Sequence, residues 1–182
     1  MADMEQFAAL AALTCHANTG KDLVPHEVLE RIIQRRHESI LEHITLTYSI
    51  KGLSRACLQE LARHRHISLS VESTRHTLKK VMAEPADVEY DNNQDIMLLA
   101  FRKIAYENPD MPNDELKYYL PEFWPTNLVL TVNIRELRHI LDLRTAPAAL
   151  KEFRDLGHKL FEAVPEQFRY LLADCVHEET EA

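Results

Sequence analysis

Between His43 and Lys51 the chain alternates strictly. Ile44, Leu46, Tyr48 and Ile50 point one way, and His43, Thr45, Thr47 and Ser49 the other, the period-two pattern of a half-buried strand. The same alternation returns from Thr126 to Val132, which predicts a second strand. Residues 66 to 76 carry Ile67, Leu69 and Val71 between Ser68, Ser70 and Glu72, and read as an extended segment or ordered loop.

Elsewhere the apolar spacing is helical. Phe7, Leu10, Ala11 and Thr14 define a short helix from Met4 to about Cys15, broken by Asn18-Thr-Gly20. Pro25 suits the first position of a second helix, whose stripe is Val28, Leu29, Ile32 and Ile33. Gly52 and Ser54 mark a turn and an N-cap for a helix through Leu53, Cys57, Leu58 and Leu61, ending around Arg63-His-Arg65. Residues 82 to 93 are acidic and turn-rich and predict a mobile surface loop. Helices over 94–107 and 113–119 are split by Asn108-Pro-Asp. Asn133 opens a capping box with Glu136 for a helix from Ile134 to about Leu143. Two more helices, 146–163 and 165–174, divide at Pro165, and the tail from His177 is expected to fray.

Composition agrees with this helical weighting: the chain of 182 residues contains only three glycines, and its 46% apolar and 27% charged residues suit one folded domain. No apolar run reaches the roughly 18 residues of a membrane span, and the N-terminus lacks a basic-then-apolar leader, so a cytoplasmic protein is expected. Cys15, Cys57 and Cys175 are far apart and predict buried reduced thiols, with neither a disulfide framework nor a zinc site. The net charge of −8 argues against a nucleic-acid binder. Yet residues 63 to 80 carry Arg63, Arg65, Arg75, Lys79 and Lys80 against Glu72 alone, which points to a local anion site.

Two arginines flanking His64 at a helix end can clamp a phosphate or diphosphate bidentately, and Ser73 with Arg75 adds donors for a second anion. A solvated basic turn is the plainer alternative. Arg144 continues the Leu137, Ile140, Leu141 stripe of the 134–143 helix. An inward arginine must meet an anion or a set of acceptors, unless it snorkels at the helix end.

Arg63-His64-Arg65, seven residues, then Ser73 is a pattern that resembles the signature of the flavin-dependent thymidylate synthases of the ThyX family. The similarity extends through His37 to His43, Lys51 to Arg55, Ser73-Thr-Arg75, Leu116 to Pro121, and Thr131-Val-Asn-Ile-Arg135 to Arg144. The resemblance implies an α+β fold, a helix-rich single catalytic domain over 1–182 with a mainly antiparallel central sheet. It implies conversion of dUMP to dTMP with FAD as cofactor, NADPH or NADH as reductant and methylenetetrahydrofolate as carbon donor. It also implies a homotetramer whose active sites form where subunits meet.

By the same resemblance, Arg63, His64 and Arg65 line the flavin site with His43, Thr45 and Arg135, while Asn133 and His139 face flavin or folate. The dUMP positions are Glu60, Ser70, Val71, Ser73, Arg75 and Lys117, with Arg144 as the cation that polarises the pyrimidine. Ser70, Val71, Glu60, His76 and Lys117 depart from the commonest family residues. Val71 removes an acceptor, and Lys117 cannot form a bidentate fork. The departures at Val71, His76 and Lys117 leave room for a second reading, a non-catalytic nucleotide- or flavin-binding module. A metal site is a third reading, prompted by ten histidines, but no HExxH or comparable constellation occurs.

Overall fold

The computed structural model describes residues 2–17, 24–83 and 90–178. Among these, helices α1 (Ala2–Thr14) and α2 (Pro25–Gln34) precede a 3-10 turn at Glu38–His43 and strand β1 (Thr45–Ser54). Helix α3 (Arg55–Leu61), strand β2 (Ile67–Val71) and helices α4 (Thr74–Ala83), α5 (Asn92–Glu107) and α6 (Asn113–Leu116) follow. Strand β3 (Pro125–Asn133) leads into α7 (Ile134–Arg144) and α8 (Lys151–Glu162), and 3-10 turns at Glu166–Leu171 and Ala173–Cys175 complete the described chain. The strands form one antiparallel sheet in the order β1-β3-β2, so the fold is helix-rich α+β, as expected. Among the described residues no helix is long and apolar enough to cross a membrane.

The chain groups into two compact units, each built from separate stretches of sequence. The first comprises residues 1–48, 62–68 and 130–182. Its core draws Leu29 from α2, Leu41 and Ile44 from the approach to β1, Leu137 and Ile140 from α7, and Phe153 from α8, all buried. The second comprises residues 49–61 and 69–129. There Leu78, Leu98, Phe101, Leu116, Leu120 and Trp124 form a cluster in which the Phe101 and Trp124 rings meet edge to face at 5.8 Å.

Several local expectations hold, and their caps explain why. Ser54 Oγ accepts the Cys57 N–H at 3.0 Å, and Asn133 Oδ1 accepts the Glu136 N–H at 2.8 Å, so both predicted N-caps form. β1 alternates as read, but it continues through Gly52 instead of turning there. Gly52 has φ +74°, and the buried positions shift from Ile50 to Leu53 across it, a bulge-like change of parity.

Other expectations need correction. On α1 the buried residues are Ala8, Ala9 and Ala12, while Phe7 is 67% exposed. α1 packs against α2, and small side chains permit the close approach that the larger ones would prevent. Residues 67–71 form a strand, and α4 follows from Thr74, a helix whose opening residues Ser73 to Thr77 are all polar; Leu78 is buried on it and Met82 packs against the same cluster. The loop expected at 82–93 is only partly described: residues 84–89 lie outside the described set, and Asp91 caps α5 in a capping box with Gln94. Of the tail expected to fray, His177 is docked, its N–H donating to Thr145 Oγ1 at 2.9 Å and its ring meeting the Asp142 carbonyl, while residues 179–182 lie outside the described set. Of the thiols, Cys57 is buried, Cys175 half-buried and Cys15 exposed beyond the end of α1.

Candidate active site

In the first unit the Asn133 cap fixes the start of α7, which places Glu136, His139 and Arg144 along that helix. The turn after α3 delivers His64, which is 6% exposed, between exposed Arg63 and Arg65. His64 Nδ1 lies 3.3 Å from Glu136 Oε1, and Arg144 Nε donates to His64 Nε2 at 3.2 Å. An arginine Nε–H can only donate, so Nε2 is the acceptor and the ring proton sits on Nδ1, facing the carboxylate. His64 is therefore neutral in this arrangement. Burial, with the Arg144 guanidinium second, holds its pKa below the ordinary imidazole value against the opposing pull of Glu136. The Arg144 guanidinium also lies 4.8 Å over the Phe153 ring, a cation–π contact that fixes it from the α8 side.

His139 packs edge to face on His64, with ring centroids 5.7 Å apart, and itself faces a cleft. That cleft, about 480 Å³, is lined by Asn133, Arg135, His139 and His66 with the carboxylates Glu38, Glu42 and Glu136. Arg135 is ion-paired there with Glu42. His43 and Thr45 stand exposed at the entrance to β1. Thus His64, His139 and Arg144 come together, Asn133 and Arg135 share a cleft with His139, and His43, Thr45, Arg63 and Arg65 are displayed on the surface of the same unit.

The second unit holds the other positions. Arg75 on α4 and Lys117 just beyond α6 converge on one carboxylate: Asp114 lies 3.0 Å from Arg75 Nε and 2.9 Å from Lys117 Nζ. The Lys117 hydrogen bond, aided by the Arg75 charge, holds the Asp114 carboxyl below the usual range. Asn113 Nδ2 donates to the Arg75 carbonyl at 2.9 Å, tying the two helices together. Ser73 opens α4, its carbonyl accepting the Thr77 hydroxyl at 2.9 Å. Ser70 and Val71 are exposed on β2, and Glu60 is half-buried on α3.

Two carboxylates were not singled out by sequence reasoning as site residues. The sequence presents Glu136 as a capping partner of Asn133, although it stands four residues before Ile140 and so beside a buried position. Asp114 precedes Lys117 by one helical turn, a legible pair, but its contact with Arg75 joins residues remote in sequence. Among the described residues no group of three or more potential metal ligands occurs.

The family model described as "Thymidylate synthase complementing protein" matches residues 1–169. A flavin-dependent thymidylate synthase of Wolinella succinogenes is 42% identical over 170 residues, covering 84% of this chain and 82% of its own. One of Campylobacter jejuni strain RM1221 is 38% identical over 173 residues, covering 85% and 83% respectively. Thymidylate synthase X of Helicobacter pylori, solved with FAD and dUMP, superposes with a TM-score of 0.83 at 34% identity, covering 96% of this chain and 95% of its own. With similarity spread over nearly the full length of each partner, the chain belongs to the family of flavin-dependent thymidylate synthases.

Proposed function

We propose that this chain is an FAD-dependent enzyme that converts dUMP to dTMP, taking carbon from methylenetetrahydrofolate and reducing power from NADPH or NADH. The observation that carries this reading is its likeness, at 38–42% identity over more than four-fifths of both chains, to enzymes named for that activity. The residues fit the cofactor. The cleft is of the size that takes a planar ring system. Arg63 and Arg65 are exposed guanidiniums suited to a diphosphate, alongside His43 and Thr45. When bound, the flavin supplies the redox chemistry.

The chain's own residues bind, orient and polarise. Asn133, Arg135 and His139 offer both donors and acceptors to a ring in the cleft; Arg135 does so once Glu42 is displaced or shared. Arg75 and Lys117, held by Asp114, meet the nucleotide phosphate with Ser73, while Glu60, Ser70 and Val71 flank it. Arg144 contributes a fixed positive charge where negative charge develops on the pyrimidine. No protein nucleophile is needed, in keeping with Cys175, whose thiol is pushed up to about 11 by burial. We assign the chain to one cytoplasmic catalytic domain assembled as a homotetramer, and an active sample with the light-scattering mass of one protomer contradicts that assembly.

A non-catalytic nucleotide- or flavin-binding module is the second reading, favoured by Val71 and by cations already satisfied internally at Asp114 and Glu42. The two readings separate on the absorbance of the purified protein. The enzyme carries a yellow chromophore that NADPH bleaches, with a rate that depends on dUMP. A colourless protein that binds dUMP without oxidising NADPH identifies the module.

A further inference from the structure

Glu136 is a buried carboxylate on α7, 9% exposed, that reaches His64. Burying an acid is costly unless a specific partner offsets the loss of water. We propose that Glu136 is a positioning residue that locks His64 in the Nδ1–H tautomer, so that Nε2 accepts from Arg144 Nε and aims the guanidinium at the pyrimidine. The proposal rests on the reading of Arg144 as the polarising cation.

The geometry carries it. Neutral imidazole has one donor and one acceptor, and both are used: Nδ1 toward Glu136 at 3.3 Å, Nε2 toward Arg144 at 3.2 Å. Without an acceptor at Nδ1, the Arg144 contact alone favours that tautomer and leaves a buried Nδ1–H unsatisfied, while the other tautomer's Nε2–H would oppose the Arg144 Nε–H. Protonated imidazole has two donors and opposes it likewise. Phe153 reinforces the aim, with its ring under the guanidinium and edge-on to His64 at 6.1 Å. The charged and titratable groups acting on His64 are Glu136, His139 and Arg144 on α7, and α8 contributes the Phe153 ring. His64 has both nitrogens engaged within the chain, so its influence on bound molecules runs through Arg144 and its exposed neighbours Arg63 and Arg65.

The sign of the pH effect follows. The competent state is neutral His64, present above its pKa and lost as pH falls through it. Glu136 raises that pKa, so removing its charge extends the competent state to lower pH. The test uses FAD-loaded enzyme. In Glu136→Gln, whose amide oxygen still accepts from Nδ1, the acid limb of kcat moves to lower pH while dUMP affinity, measured by calorimetry, stays within about two-fold, because the aim matters chiefly in the transition state. In Glu136→Leu, kcat falls about 100-fold, the scale of a misplaced catalytic group. Histidine-nitrogen NMR then shows loss of the Nδ1–H form of His64. Should the leucine variant not fold, the glutamine variant decides. An acid limb unmoved in Glu136→Gln, with Arg144→Ala inactive, overturns the positioning role and leaves the reading of Arg144 intact. Wild-type turnover in Arg144→Ala overturns that reading, and the positioning role with it.

Discussion

Arg138 sits on α7 with its side chain 6% exposed and its guanidinium spread over several acceptors. It meets both Asp174 oxygens at 2.6 and 2.7 Å, the Leu171 carbonyl at 2.6 Å and the Glu38 carboxylate at 3.3 Å. A buried guanidinium is tolerable only when it is satisfied in this way, and removing one partner exposes its desolvation cost. Asp174 is half-exposed, which screens the pair, so Asp174→Asn is expected to destabilise by about 2 kcal/mol near neutrality, less than a fully buried pair would lose. The Arg138 hydrogen bond holds the folded pKa of Asp174 below its ordinary 3.8. Its contribution is therefore present above that value and fades as pH falls through the lower folded pKa. Urea unfolding of both proteins checks this: the gap between them narrows in acid, and an equal gap at all pH values contradicts the assignment. Sequence periodicity concealed this residue. Arg138 shares a helical face with Ile134 and Leu141, as Glu136 does with Ile140, but its partners lie about a hundred residues upstream and thirty-six downstream. Arg144, by contrast, was legible as an inward cation because it prolongs an apolar stripe; the identity of its partner, His64, was not.

At the scale of elements, the junction of α7 with α8 depends on the absence of one carbon atom. A Cβ on Gly157 would meet Thr145 Cγ2 at 2.7 Å. Thr145 cannot swing away cheaply, since its hydroxyl donates to the Leu141 carbonyl at 2.7 Å and accepts the His177 N–H at 2.9 Å. Gly157→Ala is therefore expected to destabilise by about 1–2 kcal/mol, overpacking outweighing a helix-propensity gain of about 1 kcal/mol. Thr145→Ser keeps the hydroxyl and removes the methyl, so the double variant should regain most of the loss in thermal unfolding. A double variant as unstable as the single one contradicts the clash. The same residue docks His177, expected to fray as part of a chain terminus, because Thr145 presents an acceptor that α7 alone does not use. Two of the three described strands and most helices are legible because their patterns are local. α4 is obscured by the polar run from Ser73 to Thr77 at its start, and the buried face of α1 differs from the expected one, because its packing selects small residues over larger ones.

For the whole molecule, alternation marked two strands among helical stretches, and the family resemblance implied the α+β class. Each compact unit gathers segments far apart in sequence, and no periodicity announces which ones join. The candidate residues divide along the same lines. The positions assigned to flavin, together with Arg144, belong to the first unit, and Arg75, Lys117 and the rest of the phosphate set to the second. The family reading assigns the first set to flavin and the second to the nucleotide phosphate, with Arg144 as the polarising charge. Release of tritium from dUMP labelled at the pyrimidine carbon that receives the methyl group, in the presence of FAD, NADPH and methylenetetrahydrofolate, tests this most directly. Wild type should release label while Arg144→Ala, still yellow and still folded, releases it at least about 100-fold more slowly, the loss typical of one transition-state charge contact. A wild-type protein that releases none, or an Arg144→Ala variant that keeps pace with it, contradicts the account.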